Sequence, residues 1–277
     1  MTLLNDMESL NPPQGTAWLW FLGGSSFGVR FSGQPLVFID LDYEAGLEGL
    51  DVPADGFAPP LRLLRASPLP FDPSEITAPA AYLSTHADVD HCDRYSVLAV
   101  TRRGGLFVGP SSSCGLAAEW GVSGSQIRKL AGKDFEMARF HDIEIWSAPN
   151  TDPGSVSSNS FVLRHDGISI FHNGDSRYDG RMYLQIASRF KIDVAIINLG
   201  RNPKGRDWYH SPCDVARAAN DLEPRFLLSH HYDKWDKTQE DPTLVGWALQ
   251  NLYPETLKKT KLVILRPGDP FKVAAVE

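Results

Sequence analysis

The stretch Ser84-Thr85-His86-Ala87-Asp88-Val89-Asp90-His91-Cys92-Asp93 decides how this chain is read. It packs two histidines and three carboxylates into eight positions, directly after the apolar run at Tyr82–Ser84. Carboxylates this close raise one another's pKa, and a shared cation is the simplest way for them to stay ionised together. The spacing therefore predicts a metal cradle. On an extended segment His86 and Asp88 point the same way and can grip one ion. Asp90 and His91 fall at the turn into a helix beginning at Arg94, where they could face a second ion. A simpler reading makes Asp90 or Asp93 the cap of that helix; it accounts for one carboxylate but not for the cluster.

Around the cradle, short apolar runs recur at Trp18–Leu22, Leu36–Ile39, Leu106–Val108, Ile143–Trp146, Phe161–Leu163, Ile168–Phe171, Val194–Asn198, Phe226–Leu228 and Leu262–Leu265. With Tyr82–Ser84 these read as strands. Helical patterns lie between them at Arg94–Arg102, Gly115–Trp120, Arg181–Phe190, Ser211–Leu222 and Pro242–Leu252. Ser211-Pro212 and Asp241-Pro242 supply a cap followed by a proline in the first turn. Strands and helices that alternate in two similar halves predict a layered α/β sandwich. Residues 1–16 read as an N-terminal tail ahead of a single domain, 17–277. Between Phe57 and Pro79 stand six prolines (59, 60, 68, 70, 73 and 79). They exclude regular helix or a central strand and predict a long ordered loop, either a surface connection or a lid beside the cradle.

Composition narrows the function. A chain of 277 residues, 42% hydrophobic, can bury a large core, and a net charge of −7 argues against a role centred on nucleic-acid backbones. A small-molecule substrate is the expected partner, and a homo-oligomer is compatible with the sequence. Three widely spaced cysteines, Cys92, Cys114 and Cys213, indicate neither a disulfide framework nor a zinc knuckle and fit a reducing cytoplasm. No stretch reads as a secretory leader or a membrane span.

Further candidate ligands follow later strands, where rigid elements commonly present functional groups. His172-Asn173-Gly174-Asp175 follows one, and His230-His231-Tyr232-Asp233 follows another. Asn150-Thr151-Asp152-Pro153-Gly154 offers Asp152, which reads equally as part of an ordinary Asp-Pro turn. The chain has no G-x-S-x-G nucleophile elbow, and Gly23-Gly24-Ser25-Ser26 reads as a hairpin turn.

These segments resemble a family. Thr85 to His91 is similar to the His-x-His-x-Asp-His signature of the metallo-β-lactamase superfamily, with Asp88 where the second histidine normally stands. Asp175 and His231 match its bridging aspartate and last histidine. Within the superfamily the chain resembles the L-ascorbate-6-phosphate lactonase group through Trp20–Phe27, Thr85–Asp93, Phe171–Tyr178, Asn202-Pro203-Lys204-Gly205 and His230–Trp235. The resemblance implies a four-layer αβ/βα sandwich with two divalent ions at one edge. His86, Asp88 and Asp152 would hold one ion, Asp90, His91 and His231 the second, and Asp175 would bridge. Asp40 would orient the loop from His86 to His91. His230, next to His231 on a strand, would face away.

The implied activity is that of a metal-dependent hydrolase. Two ions about 3.5–4 Å apart can hold a hydroxide and polarise the bond it attacks, most simply in a lactone or related ester of a phosphorylated or carboxylated small molecule. Asp90, His172 and His210 are candidate catalytic groups, with either histidine or a metal-bound water as the proton donor to the leaving group. Arg201, Lys204 and Arg206 could bind the anion, although a solvated turn explains them equally. Aspartate in place of histidine makes the ligand set harder and favours manganese over zinc, with iron also open. Two alternatives stand beside this reading: a phosphodiesterase with the same dinuclear site, and a metal-binding or sensor protein weakened by Asp88.

Overall fold

The computed structural model describes residues 2–44, 49, 51–52, 59–155 and 157–276, so residues 57 and 58 of the proline-rich segment lie outside it. In chain order the strands are β1 (Thr16–Gly23), β2 (Ser26–Phe31), β3 (Leu36–Ile39), β4 (Asp51–Val52), β5 (Leu61–Arg62), β6 (Ala81–Leu83), β7 (Leu106–Gly109) and β8 (Ile127–Lys129). They continue as β9 (Met137–Phe140), β10 (Ile143–Ala148), β11 (Ser160–His165), β12 (Ile168–His172), β13 (Val194–Asn198), β14 (Phe226–His230), β15 (Lys261–Leu262) and β16 (Pro270–Ala274). The helices are α1 (Leu3–Ser9), α2 (Arg94–Thr101), α3 (Ser111–Glu119), α4 (Gly180–Arg189), α5 (Pro212–Leu222), α6 (Thr243–Leu252) and α7 (Pro254–Lys259).

Two seven-stranded sheets carry the fold. One runs β16-β1-β2-β3-β6-β7-β8 and the other β15-β14-β13-β12-β11-β10-β9. Strand alternation sends Leu19, Phe21, Phe27, Val29 and Ile39 of the first sheet inward against Ile145, Phe161, Leu163, Ile170 and Ile196 of the second. The opposite face of the first sheet, including Phe38, Tyr82 and Phe107, packs on Leu4, Val97, Val100 and Ala117 of α1, α2 and α3. The opposite face of the second packs on Met182, Ile186, Val215, Ala219 and Val245 of α4, α5 and α6. The result is the expected four-layer αβ/βα sandwich. In both sheets the middle strands are parallel: β3, β6 and β7 in the first, and β12, β13 and β14 in the second. Parallel strands end on the same edge, so the loops after β3, β6, β12 and β14 emerge together.

Three local expectations are corrected. Leu3–Ser9, expected within a tail, form a helix whose Leu4 and Met7 are fully buried, with the Thr2 hydroxyl accepting from the Asn5 N–H at 3.4 Å. The helix expected at Gly115–Trp120 begins earlier, at Ser111, immediately after Pro110. The strand expected at Leu262–Leu265 is only Lys261–Leu262, paired in parallel with Phe226 and Leu227. The described part of the proline-rich segment is a loop with one short strand, β5, paired with β4 ahead of the segment, and a 3-10 turn at Pro73–Glu75 capped by Asp72. It packs down through buried Leu63, Leu69, Phe71 and Ile76 and is laced to the segment after β14. Ala66 N–H donates to the Lys234 carbonyl at 2.7 Å, and Asp236 N–H to the Leu64 carbonyl at 2.9 Å.

Because Met7 sits wholly inside a packed layer, Met7→Ala should lower unfolding free energy by about 2–5 kcal/mol. Urea denaturation followed by far-UV circular dichroism measures this; a loss below about 0.5 kcal/mol, typical of a surface position, would show that α1 is peripheral to the core.

Candidate metal centre

The cradle is built from bends rather than from extended chain. The strand that leads into it ends at Leu83, and residues 85–91 turn back on themselves, with the Asp88 carbonyl accepting from the N–H groups of His91 (2.9 Å) and Cys92 (2.8 Å). This corrects the expectation that His86 and Asp88 share an extended segment. Asp93 does cap α2, accepting from the Ser96 N–H at 2.6 Å.

One carboxylate organises the histidines. Asp40, at the end of β3 and fully buried, accepts from the Thr85 N–H at 2.8 Å and the Thr85 hydroxyl at 2.7 Å, and lies 2.8 Å from His91 Nδ1. The Thr85 hydroxyl oxygen is in turn 3.0 Å from His86 Nδ1. With Asp40 accepting, the protons belong on Nδ1 of both rings, which leaves both Nε2 lone pairs free to ligate. Burial alone would raise the Asp40 pKa, but His91 beside it outweighs burial and holds the carboxyl below its ordinary range.

The Nε2 atoms meet carboxylates from both sheets. His86 Nε2 lies 3.6 Å from Asp88 Oδ2 and 3.8 Å from Asp152 Oδ2. His91 Nε2 lies 3.7 Å from Asp90 Oδ2 and 3.5 Å from Asp175 Oδ2. His231 Nε2 lies 3.7 Å from Asp90 Oδ2 and 3.6 Å from Asp175 Oδ2. All seven residues singled out as candidate ligands are thus brought together, and two compact groups stand out: His86, His91, Asp175 and Asp90, His91, His231. Asp88 is the most open member, its side chain 56% exposed, whereas the Asp152 side chain is 7% exposed.

The loops are held so that these atoms converge. Gly174, at φ +60°, lets the loop after β12 press on the first sheet; a Cβ there would stand 2.7 Å from Thr85 Cβ. Asn173 anchors the same loop through its side chain, which donates to Asn198 Oδ1 (2.6 Å) and the Ser176 hydroxyl (2.7 Å) and accepts from the Asn198 N–H (2.9 Å). Asn150 donates to the Asn173 carbonyl at 2.6 Å and accepts from the Asp152 N–H at 2.7 Å. Asp152 Oδ1 closes its own turn by accepting from the Gly154 N–H at 2.8 Å, leaving Oδ2 for the cradle. His231 takes a left-handed φ of 69°, its N–H donating to the Gly24 carbonyl at 2.7 Å, and its ring packs on Tyr209 at 4.5 Å between centroids.

A divalent ion suits these residues on a direct structural test. His91 Nε2, His231 Nε2, Asp152 Oδ2 and Asp175 Oδ1 are buried without a hydrogen-bond partner, and such orphans are costly in a native protein unless something satisfies them. Burial also pushes the Asp152 pKa up, more than the nearby His86 pulls it down. Asp90 is held well below the ordinary carboxylate range: burial would raise it, but Lys234, His91 and His231 outweigh burial. Imidazole and carboxylate donors together match zinc, iron or manganese.

The remaining sequence candidates lie elsewhere. His172 is fully buried against the His230 ring (4.4 Å) and Phe27 (5.8 Å), with its Nδ1 accepting from the Gly174 N–H. His210 is fully buried beside the Tyr183 hydroxyl at 2.9 Å. Burial pushes both down to about 4, which makes them neutral at pH 7, and neither belongs to the two ligand groups. His230 turns away from the cradle onto Asn173 Oδ1 at 3.0 Å. Arg201 is exposed with a guanidinium nitrogen 3.9 Å from Glu240, Arg206 stacks on Trp208 at 4.7 Å and donates to the Pro59 carbonyl, and Lys204 is exposed. None of the three lines the cavity of about 580 Å³ that borders Asp152, where Lys129 and Lys133 stand instead.

Sequence reasoning missed Lys234, which is buried with its Nζ 2.7 Å from Asp42 Oδ2. Burial alone would lower its pKa, but Asp42 and Asp90 prevail and raise it. A signal existed: Asp40-Leu41-Asp42 puts two carboxylates two apart at a strand end, and the second needs a cation.

Comparison with known proteins identifies the lineage. The beta-lactamase superfamily domain matches residues 50–232, more than half of the chain. The chain belongs to the metallo-β-lactamase superfamily. It is 25% identical over 272 residues to a Salmonella paratyphi B protein described as "Probable L-ascorbate-6-phosphate lactonase UlaG", covering 87% of this chain and 76% of that one. The fold resembles a solved metallo hydrolase, Igni18, from Ignicoccus hospitalis (TM-score 0.68, 17% identity, 93% of this chain and 98% of that one). It also resembles an isothiocyanate hydrolase from Delia radicum gut bacteria (TM-score 0.69, 18% identity, 94% and 100%). Among the described residues, no helix is long and apolar enough to cross a membrane.

Asp40→Asn should weaken metal binding about 10–100-fold, because an amide beside His91 Nδ1 no longer favours the tautomer that frees Nε2. Competition against a chromogenic chelator reads this; wild-type affinity in the folded variant would remove Asp40 from the account.

Proposed function

We propose that the protein is a metal-dependent hydrolase that opens a lactone or related ester of an anionic small molecule. The observation that carries this reading is the convergence of unpartnered imidazole nitrogens and carboxylate oxygens, from loops of both sheets, on one small volume. His86, Asp88 and Asp152 would hold one ion, Asp90, His91 and His231 the other, with Asp175 between them. Two such ions, when bound, supply Lewis acidity and acidify water at neutral pH. The chain's own residues do the rest. Asp40 and Thr85 keep the imidazoles of His86 and His91 in the ligating tautomer, Asp152 joins the cradle to the neighbouring cavity, and the buried loops shield His86, His91, His231 and Asp90 from bulk water while Asp88 stays open to it.

The likeness to the lactonase UlaG supports a lactone rather than a β-lactam. The cavity beside Asp152 offers an anion contact: Lys129 and Lys133 line it alongside the carboxylates Glu136 and Asp152, and neither lysine forms an ion pair among the described residues. A phosphate or carboxylate placed there would leave the other end of a small molecule near the cradle. The loop cations Arg201, Lys204 and Arg206 are the alternative anion contacts.

A panel of phosphorylated lactones, neutral lactones, phosphodiesters and β-lactams, run on protein of known metal content, tests the function. Lactone turnover lost on chelation and restored by manganese or zinc is the expected result. Activity on diesters alone would overturn it, as would no turnover with two ions bound. Asp175→Ala should reduce kcat/KM by about 10³-fold, since it removes several kcal/mol of metal-derived stabilisation. Lys129→Ala combined with Lys133→Ala should raise KM for the phosphorylated lactone several-fold while sparing a neutral analogue. An effect of that kind from Lys204→Ala instead would move the anion site to the other loop.

A further inference from the structure

Lys234 is the feature that the proposed chemistry leaves unused. Its side chain is 2% exposed, and a buried ammonium is costly unless paired and hydrogen-bonded. A contact with Asp42 Oδ2 at 2.7 Å already supplies the pair. Yet the ammonium, which carries three donors, also donates to the Asp90 carbonyl at 3.0 Å and lies 3.5 Å from Asp90 Oδ2. That oxygen is the one 3.7 Å from both His91 Nε2 and His231 Nε2.

The surroundings fix the ammonium in place. The aliphatic stem crosses Gly24, where an added Cβ would come within 2.8 Å of Lys234 Cδ. The Gly24 N–H is held by Asp233 Oδ1 at 3.0 Å, and the Lys234 N–H donates to the His231 carbonyl at 3.3 Å. Lys234 is therefore three residues from one candidate ligand, His231, and touches another, Asp90, that comes from the opposite half of the chain. Asp42 is itself braced: Arg65, on the proline-rich loop, donates to the Asp42 carbonyl at 2.9 Å and to the Tyr43 carbonyl at 3.0 Å, and lies 3.8 Å from Asp42 Oδ2. Asp90, by contrast, sits in a turn outside any strand ladder, and among the described residues its carbonyl otherwise receives only the Ser25 hydroxyl at 3.4 Å.

We propose that Lys234 is the positioning residue for the second ion, holding Asp90 against His91 and His231 and tying that half of the centre through Asp42 and Arg65 to the proline-rich loop. The proposal rests on the two-ion reading above. It predicts an unequal response: among the described residues the half built on His86 and Asp152 has no lysine ion pair, and it should not depend on Lys234.

The test is a manganese titration read by equilibrium dialysis and by electron paramagnetic resonance, in which a close pair of ions gives an exchange-coupled signal. Wild type should take up two ions and show the coupled signal. Lys234→Met should retain the first ion and bind the second about 10–100-fold more weakly, giving an uncoupled signal. Lys234→Met takes the 2.7 Å ammonium contact from buried Asp42 and could fail to fold, so the neutral pair Lys234→Met with Asp42→Asn carries the test in parallel. If Lys234 merely neutralises Asp42, the double variant recovers the second ion at wild-type affinity, and the proposal is overturned. It is overturned equally if both ions weaken together or if neither changes. A wild type that takes up a single ion would instead contradict the two-ion reading itself, and this proposal with it.

Discussion

The arrangement depends on one buried carboxylate. Asp40 ends a central strand of the first sheet in a left-handed conformation, φ 47°, that places its oxygens under the following crossover loop rather than along the strand. From there it accepts the Thr85 N–H and hydroxyl and faces His91, so one side chain sets the backbone path into the cradle and the tautomers of two imidazoles. The Ser26 hydroxyl donates to the Asp40 carbonyl at 2.7 Å and accepts from the Asp42 N–H at 3.1 Å, which binds the strand end to the neighbouring hairpin. A buried charge with this many partners is a rigid reference point, and rigidity is what a metal site needs from its supports.

The second dependence is topological. Each sheet contributes parallel strands whose ends share one edge, and the two sheets face each other across the core. A ligand set drawn from both sheets is then possible only if their edge loops can approach closely. Gly174 against Thr85 provides that approach, and the Asn159 N–H donating to the Thr85 carbonyl at 2.8 Å reinforces it. The acidic excess of the cradle is balanced unevenly. Lys234 stands against Asp42 and Asp90 and Arg65 against Asp42, while among the described residues no lysine or arginine pairs with Asp152, whose pKa burial raises.

Much of this was legible in the sequence because the relevant signals are local and chemically loud. Two histidines and three aspartates within eight positions after an apolar run have few explanations, and Asp175 and His231 follow equally clear strands. The layered architecture followed from strand–helix alternation. What escaped had weak local signals. The edge strand Ile127–Lys129 is short and polar, β16 pairs only with β1 and is mostly exposed, and α1 has just two buried residues to mark its inner face. Lys234 escaped for a different reason: a lysine is read as solvated by default, and its burial depends on Asp42 and Asp90, which lie far away in sequence. The extended reading of His86 and Asp88 failed because the strand ends at Leu83, once the Asp40 contacts replace the ladder.

The most direct measurement is anomalous diffraction from crystals grown with manganese. The account predicts two peaks about 3.5–4 Å apart, one against His86 and Asp152 and the other against Asp90, His91 and His231, with Asp175 between them. A single peak, or ions bound away from these residues while the cradle stays filled by protein contacts alone, would contradict it.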